Sequence, residues 1–255
     1  MKQSKFMETG ILAAKLAGEV IMKYYSGDVR VELKGDETPV TAADREAEKV
    51  ITKTIKSRFP EHSIMGEEFG SSAGDSEYTW VIDPVDGTKN YIRKIPMFAT
   101  QIALMKNDEL ILGISNAPAM NELLYAERGM GAYFNNQKIH VSARKNLSES
   151  FMSFGGINHF RKLNLTPGLL ELAGVTYSNR GFGDFWGYHL LAQGKIEIMI
   201  EADIKIWDIA ALAVIIEEAG GKFTDLSGNA VSVNIKTAAA SNGLLHEEVL
   251  KAFRR

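Results

Sequence analysis

The run Trp80-Val-Ile-Asp-Pro-Val-Asp-Gly-Thr-Lys-Asn-Tyr91 carries an apolar, β-prone stretch into two aspartates, a proline and a glycine. Proline has no N–H for a sheet ladder and glycine turns the chain. A strand is therefore expected to stop at Pro84 and present Asp83 and Asp86 at one end of a sheet. Alone, Asp-Pro-x-Asp is equally a turn with solvated carboxylates. Three other acidic spots break apolar segments in the same way: Glu67 and Glu68 in MGEEFG, Asp208 in IKIWDIAAL, and Asp44 in PVTAADREAE. Several carboxylates, with no cysteine and only five scattered histidines, suit a hard, oxygen-preferring cation such as Mg2+ better than zinc. Such sites leave positions for water and a substrate phosphate, and a pair of ions stabilises both the attacking and the leaving oxygen of an in-line displacement. The chemistry expected is phosphoryl transfer to water. Gly87 lets the backbone approach a phosphate, Thr88 orients the attacking water, and a Thr88 to Asp44 hydrogen bond is the candidate proton relay.

These acids must be carried by particular elements. Met7, Ile11, Ala14, Gly18, Ile21 and Tyr25 recur in steps of four and three, which predicts a helix over about residues 4–25. After a polar loop, Thr41 stands three residues before Asp44, so a capping box starts a second helix there, and the box is a structural role open to Asp44. Asp208 has a structural role open to it as well, since an acid at a helix N-terminus complements the dipole. Beyond Pro60, short runs such as YTWVID, FATQIALM, ELILGISN, ELLYAE and GAYFN read as a mostly antiparallel sheet. From about residue 150 strands and helices alternate: FMSFGG, a helix near KLNLTPGLLELAG, GDFWGYHLLAQG, IEIMIE, WDIAALAVIIEEAGG, KFTDL, TAAAS and HEEVLKAF. Two halves, 1–150 and 151–255, are expected in one compact α/β unit, with no linker between them.

Composition narrows the partners. The net charge of -3 argues against a nucleic acid, and no apolar run approaches the roughly 20 residues of a membrane helix. The start MKQSKFMETG has no signal-peptide pattern, and without cysteine there are no disulfides, so a cytoplasmic protein is expected.

MGEEFG, VIDPVDGTKNY, IKIWDIAALAVIIEEAGGKFTD and LKGDETPVTAAD occur in the order found in the inositol monophosphatase family of Mg2+-dependent, lithium-sensitive phosphatases, and the resemblance spans nearly the whole chain. It implies a layered αβαβα sandwich of the inositol monophosphatase / fructose-1,6-bisphosphatase type, two or three Mg2+ ions, a homodimer, and a small phosphate ester hydrolysed by metal-activated water. Position by position, Glu67, Asp83, Asp86, Asp208 and the Val85 carbonyl resemble the metal ligands. Asp44, Thr88 and Glu67 resemble the catalytic group, and the amides of Gly87 and Thr88 the phosphate cradle. Lys34 matches a lysine on an active-site loop, while Asp86, Asp184, Glu201 and Asp208 fall where the substrate is contacted. NRGFGDFWGY and SNGLLHEEVL are most similar to the histidinol-phosphate phosphatase branch, which implies L-histidinol phosphate as substrate, with Glu201 and Asp184 facing its amine and imidazole. Asn90-Tyr91 departs from the Ser-Phe of that branch; inositol-type members have Asn-Phe. Inositol 1-phosphate, adenosine 3',5'-bisphosphate and fructose 1,6-bisphosphate are the alternative substrates. A catalytically silent binding protein on this fold is expected to lack a metal carboxylate, and none is missing.

Overall fold

The computed structural model describes residues 3–27, 31–33 and 39–254; Lys34 lies outside them. The first half runs α1 (Lys5–Tyr25), β1 (Val31–Leu33), β2 (Pro39–Thr41), α2 (Ala42–Arg58), β3 (Ser63–Gly66), β4 (Gly70–Ser72), β5 (Tyr78–Asp86), α3 (Thr88–Ile92), β6 (Ala99–Lys106), β7 (Glu109–Ala117), β8 (Glu122–Glu127), β9 (Gly131–Phe134) and β10 (Gln137–Ile139). The second half runs β11 (Phe151–Phe154), α4 (Ile157–Lys162), α5 (Thr166–Val175), β12 (Ser178–Arg180), α6 (Asp184–Ala192), β13 (Ile198–Ala202), α7 (Ile206–Glu218), β14 (Lys222–Thr224), β15 (Thr237–Ser241) and α8 (His246–Lys251). The longer expected elements are all present. The region near KLNLTPGLLELAG holds two helices, α4 and α5, because Asn164 takes a positive φ of 58° and the chain restarts at Thr166-Pro167.

Among the described residues β3 to β10 form an eight-stranded sheet in the order β10-β9-β8-β7-β6-β5-β3-β4, antiparallel except where β3 meets β5. A mixed five-stranded sheet follows in the order β12-β11-β13-β15-β14. Helices α1 and α2 cover one face of the large sheet, and their core joins Ala13, Ala17, Ile21, Ile51 and Ile55 to Trp80, Ile82 and Ile114. Gly10 permits this packing, since a Cβ there would stand 2.4 Å from Ile114 Cδ1. The opposite face meets α6 and α7, which also contact the small sheet, whose far side is closed by α4, α5 and α8. The layers are thus αβαβα. Because α7 lies between two sheets it is buried almost all round, from Ile209 to Ile216, which is why its sequence lacks a polar stripe. Its terminal acids are tied down: Glu217 pairs with Arg128 at 2.5 Å, and Glu218 accepts from the amides of Gly129 and Gly131 in the β8–β9 turn.

Candidate active site

Strand β5 does not stop at Pro84. It continues to Asp86 through a bulge, in which the step from Asp83 to Asp86 faces only the step from Gln101 to Ala99 on β6. Side chains alternate along a strand, so residues three apart would ordinarily face opposite ways. The inserted residue brings Asp83 and Asp86 onto one face. That face is the one carrying Val81 and Ala103 toward α7, whereas Ile82 and Val85 point to the α1–α2 side. The Pro84 carbonyl, out of the ladder, accepts from the Thr100 hydroxyl at 2.9 Å. Gly87 then turns the chain with φ 85°, and a Cβ there would lie 2.7 Å from the Met97 carbonyl. Only glycine suits both constraints.

The remaining acids arrive from separate elements. Glu67 follows β3 and is held by its own amide, which donates to the Ile82 carbonyl at 3.1 Å. Buried Glu48 of α2 steadies the same turn, accepting from the amides of Glu68 at 2.8 Å and Phe69 at 3.1 Å. Asp208 sits in the first turn of α7 and accepts from the Lys205 amide at 2.8 Å. Asp44 forms the expected capping box and lies beside Thr88. Its Oδ2 accepts from the Thr41 amide at 2.8 Å, while Oδ1 lies 3.5 Å from the Thr88 hydroxyl oxygen, whose single hydrogen is donated to the Val85 carbonyl at 2.9 Å.

A cavity of about 760 Å³ brings Glu67, Asp83, Val85, Asp86, Gly87, Thr88, Asp184 and Asp208 together, whereas Asp44 and Glu201 stand behind its wall. Glu201 accepts from the Asp184 amide at 3.0 Å and from the Tyr188 hydroxyl at 2.9 Å, so both its oxygens are used inside the protein. Asp184 opens α6 with φ 45°, after Gly183 at φ 64° and ψ -179°, a backbone region that glycine alone occupies readily. The GFGDF run is therefore a shaped entry to α6 rather than a plain turn. Its next amide, of Phe185, donates to Asp86 Oδ2 at 3.0 Å, which joins the two halves at the acids.

Burial pushes Asp83 and Asp86 well above the ordinary carboxylate range. The charges of Glu67, Asp86 and Asp208 add to this at Asp83, and those of Asp184, Asp208 and Glu201 at Asp86. Burial, then Glu67 and Asp184, pushes Asp208 up to about 7, and burial, then Asp184, pushes Glu201 up to about 8. Asp44 and Asp184 are also raised, chiefly by burial, although Lys89, Asn90 and His159 oppose the rise at Asp184. Among the described residues no three acids or histidines yet enclose a point as a cage would, so the acids share a wall and repel across it. Opposed oxygen donors of this kind are what a divalent cation neutralises, and the donor set fits Mg2+ in type.

Sequence reasoning missed part of the lining, which Phe154 to His159 and Gly181 to Phe182 supply. His159 lines the cavity, whereas its neighbours Arg161 and Lys162 are exposed, Lys162 pairing with Asp203 at 2.7 Å. The glycines of FMSFGG and NRGFGDF were the available signal, since they leave room for a ligand. His189 does not reach the cavity: it is buried between Glu122 Oε2 at 2.8 Å and the Ser115 hydroxyl at 2.7 Å.

Residues 2–255 match the inositol monophosphatase family. A protein of Streptomyces coelicolor named histidinol-phosphatase is 37% identical over 249 residues, covering 94% of this chain and 93% of its own. A Thermotoga maritima protein named fructose-1,6-bisphosphatase/inositol-1-monophosphatase is 35% identical, covering 96% and 94%. The crystal structure of the extragenic suppressor protein suhB from Bartonella henselae superposes with a TM-score of 0.92 at 31% identity, over 99% of both chains. With that match over the full length, an αβαβα fold and the acids gathered in one cavity, the chain belongs to the inositol monophosphatase family and is a phosphoric monoester hydrolase.

Proposed function

We propose that this phosphatase hydrolyses L-histidinol phosphate, in a Mg2+-dependent reaction. The observation that carries the substrate is Asp184: a carboxylate in the cavity wall, beyond the turn of Gly87 and Thr88, suits an ester whose organic part is a cation. Among the relatives above, the one at 37% identity is named for this activity.

Phosphatases of this family are generally metal-dependent. Glu67, Asp83, Asp86, Asp208 and the Val85 carbonyl would hold Mg2+, which when bound polarises water and phosphate oxygen. The chain's own part follows from its hydrogen bonds. With its O–H turned from the Val85 carbonyl to Asp44 Oδ1, the Thr88 hydroxyl hands over its proton and receives one from the attacking water, and burial keeps Asp44 basic enough to take it. The amides of Gly87 and Thr88, at the start of a helix and free of helical acceptors, face the phosphate. Water oxygen bonds to phosphorus as the ester P–O bond breaks, and the departing alkoxide is protonated from solvent. Glu201 acts behind Asp184, by holding its amide, rather than on the substrate itself. Because the site draws Asp86 and Asp184 from different halves, residues 1–150 and 151–255 work as one unit.

A second reading, inositol 1-phosphate or fructose 1,6-bisphosphate as substrate, is favoured by the 35% identical relative and by Asn90. Phosphate release, with and without Mg2+, from histidinol phosphate, myo-inositol 1-phosphate, fructose 1,6-bisphosphate and adenosine 3',5'-bisphosphate separates them. A larger kcat/KM for histidinol phosphate upholds the proposal. Preference for another ester moves the substrate and keeps the site.

A further inference from the structure

The cavity wall beyond the phosphate turn contains two polar groups whose hydrogen-bonding sense is set by main-chain carbonyls. The first is Asp184. The Asn90 side-chain nitrogen donates to the Met97 carbonyl at 3.1 Å and to Asp184 Oδ2 at 3.0 Å. A carbonyl oxygen can only accept, so the contact with Met97 orients the Asn90 amide independently of Asp184. Oδ2 of Asp184 is thereby assigned as an acceptor, and its other oxygen is left to the cavity. The Asp184 main chain is fixed as well, because its amide is held by Glu201.

The second group is His159. Its Nδ1 lies 3.2 Å from the Ala202 carbonyl, which again can only accept, so Nδ1 carries the hydrogen. The charged ring, which opposes the rise at Asp184, has no acceptor nitrogen; the neutral ring leaves a lone pair on Nε2, and it is this form that accepts. The ring lines the same cavity as Asp184, close enough for its charge to be felt there, and Phe154, Ile157, Phe182 and several glycines line that cavity too. Lys89, next to Thr88 in the chain, lines the cavity too, and its charge is felt at Asp184.

We propose that His159 is a specificity-determining residue whose Nε2, together with Asp184 oriented by Asn90, presents a pair of fixed acceptors that select phosphate esters carrying N–H donors. The inference rests on the reaction and the site proposed above, and it extends them to residues that the acid motifs do not include. Asn90 is the positioning residue. The aromatic and aliphatic side chains that line the cavity with the two acceptors suit the carbon skeleton of such an ester.

The test compares wild type, His159→Phe and Asn90→Ala on histidinol phosphate, on phosphoethanolamine and on myo-inositol 1-phosphate. Melting temperatures and circular dichroism establish that each variant is folded. His159→Phe keeps the ring and removes the acceptor. It is expected to raise KM for histidinol phosphate about tenfold, the loss of one hydrogen bond to a charged donor, with kcat within about twofold and inositol 1-phosphate unaffected. Asn90→Ala is expected to show the same KM-only change, confined to the aminated esters. Calorimetric titration with L-histidinol, which carries no phosphate, should show the same tenfold weakening in His159→Phe. The proposal is overturned if His159→Phe changes both esters alike, as a phosphate-binding cation would, or if it changes neither KM nor histidinol binding. A wild type that prefers phosphoethanolamine, with the variant effects intact, removes histidinol phosphate as the substrate and leaves the acceptor pair standing. A wild type that prefers histidinol phosphate with a silent His159→Phe does the reverse, and preference for the neutral ester removes both.

Discussion

Replacing Asp208 with asparagine keeps the side-chain shape at the head of α7, and the acceptor for the Lys205 amide, while removing one charge from the acid wall. Asp208 titrates at about 7 in the folded chain against an ordinary value of 3.8. Between those values the folded state holds a proton that the unfolded chain releases, so with no cation bound the stability falls as pH rises from about 4 to about 7. At pH 8 the whole difference applies, a ceiling of roughly 4 kcal/mol at about 1.4 kcal/mol per unit. Neighbouring acids relax when one charge is lost, so the ceiling is not reached. Even a quarter of it moves the melting temperature of a chain this long by about 2–4 °C. Thermal unfolding in chelator at pH 8 is therefore expected to show Asp208→Asn melting above wild type, with the gap shrinking to roughly a third at pH 5, where Asp208 is protonated in the fold. Millimolar Mg2+ should reverse the order. The wild type gains roughly 2.7 kcal/mol when the ion stands at 100 times its Kd, and the variant, short of a ligand, gains less. A variant that melts below wild type in chelator at both pH values, or a wild type indifferent to Mg2+, would refute convergence of these acids on a cation.

Thr88→Val removes the hydroxyl between Asp44 and Val85, and is expected to lower kcat about 100-fold or more with a small change in KM, read by phosphate release. Glu48→Gln puts an amide NH2 against one of the two backbone N–H groups that Glu48 now accepts from. It should cost about 1–3 kcal/mol in urea unfolding and raise the Mg2+ concentration for half-maximal activity, because Glu67 adjoins that turn. Glu201→Gln disturbs Asp184 through its amide, so KM for histidinol phosphate should rise several-fold more than KM for inositol 1-phosphate. Gly87→Ala forces a Cβ to 2.7 Å from the Met97 carbonyl at a φ of 85°, and is expected to abolish phosphate release from all esters while far-UV circular dichroism stays native.

What the sequence by itself determined is what neighbouring residues settle among themselves. The Thr41 to Asp44 spacing starts α2, the glycine after Asp86 turns the chain, and the apolar runs from Tyr78 to Phe134 make their strands, because caps, turns and alternation act over a few residues. The reaction class was legible for the same reason, since Asp83, Asp86, Gly87 and Thr88 lie within six residues. Three-residue strands such as β4 and β12 were not legible: they exist only through the partner strands that complete their ladders. Only the tertiary structure decided that Asp83 and Asp86 share a face, because this depends on a register shift against β6. It alone placed Glu201 behind Asp184, turned Glu48 into a brace for the Glu67 turn, and brought His159 to the cavity. Each of these rests on a contact between segments distant in the chain, as when the Phe185 amide reaches Asp86 across 99 positions, and no local pattern encodes where such partners meet.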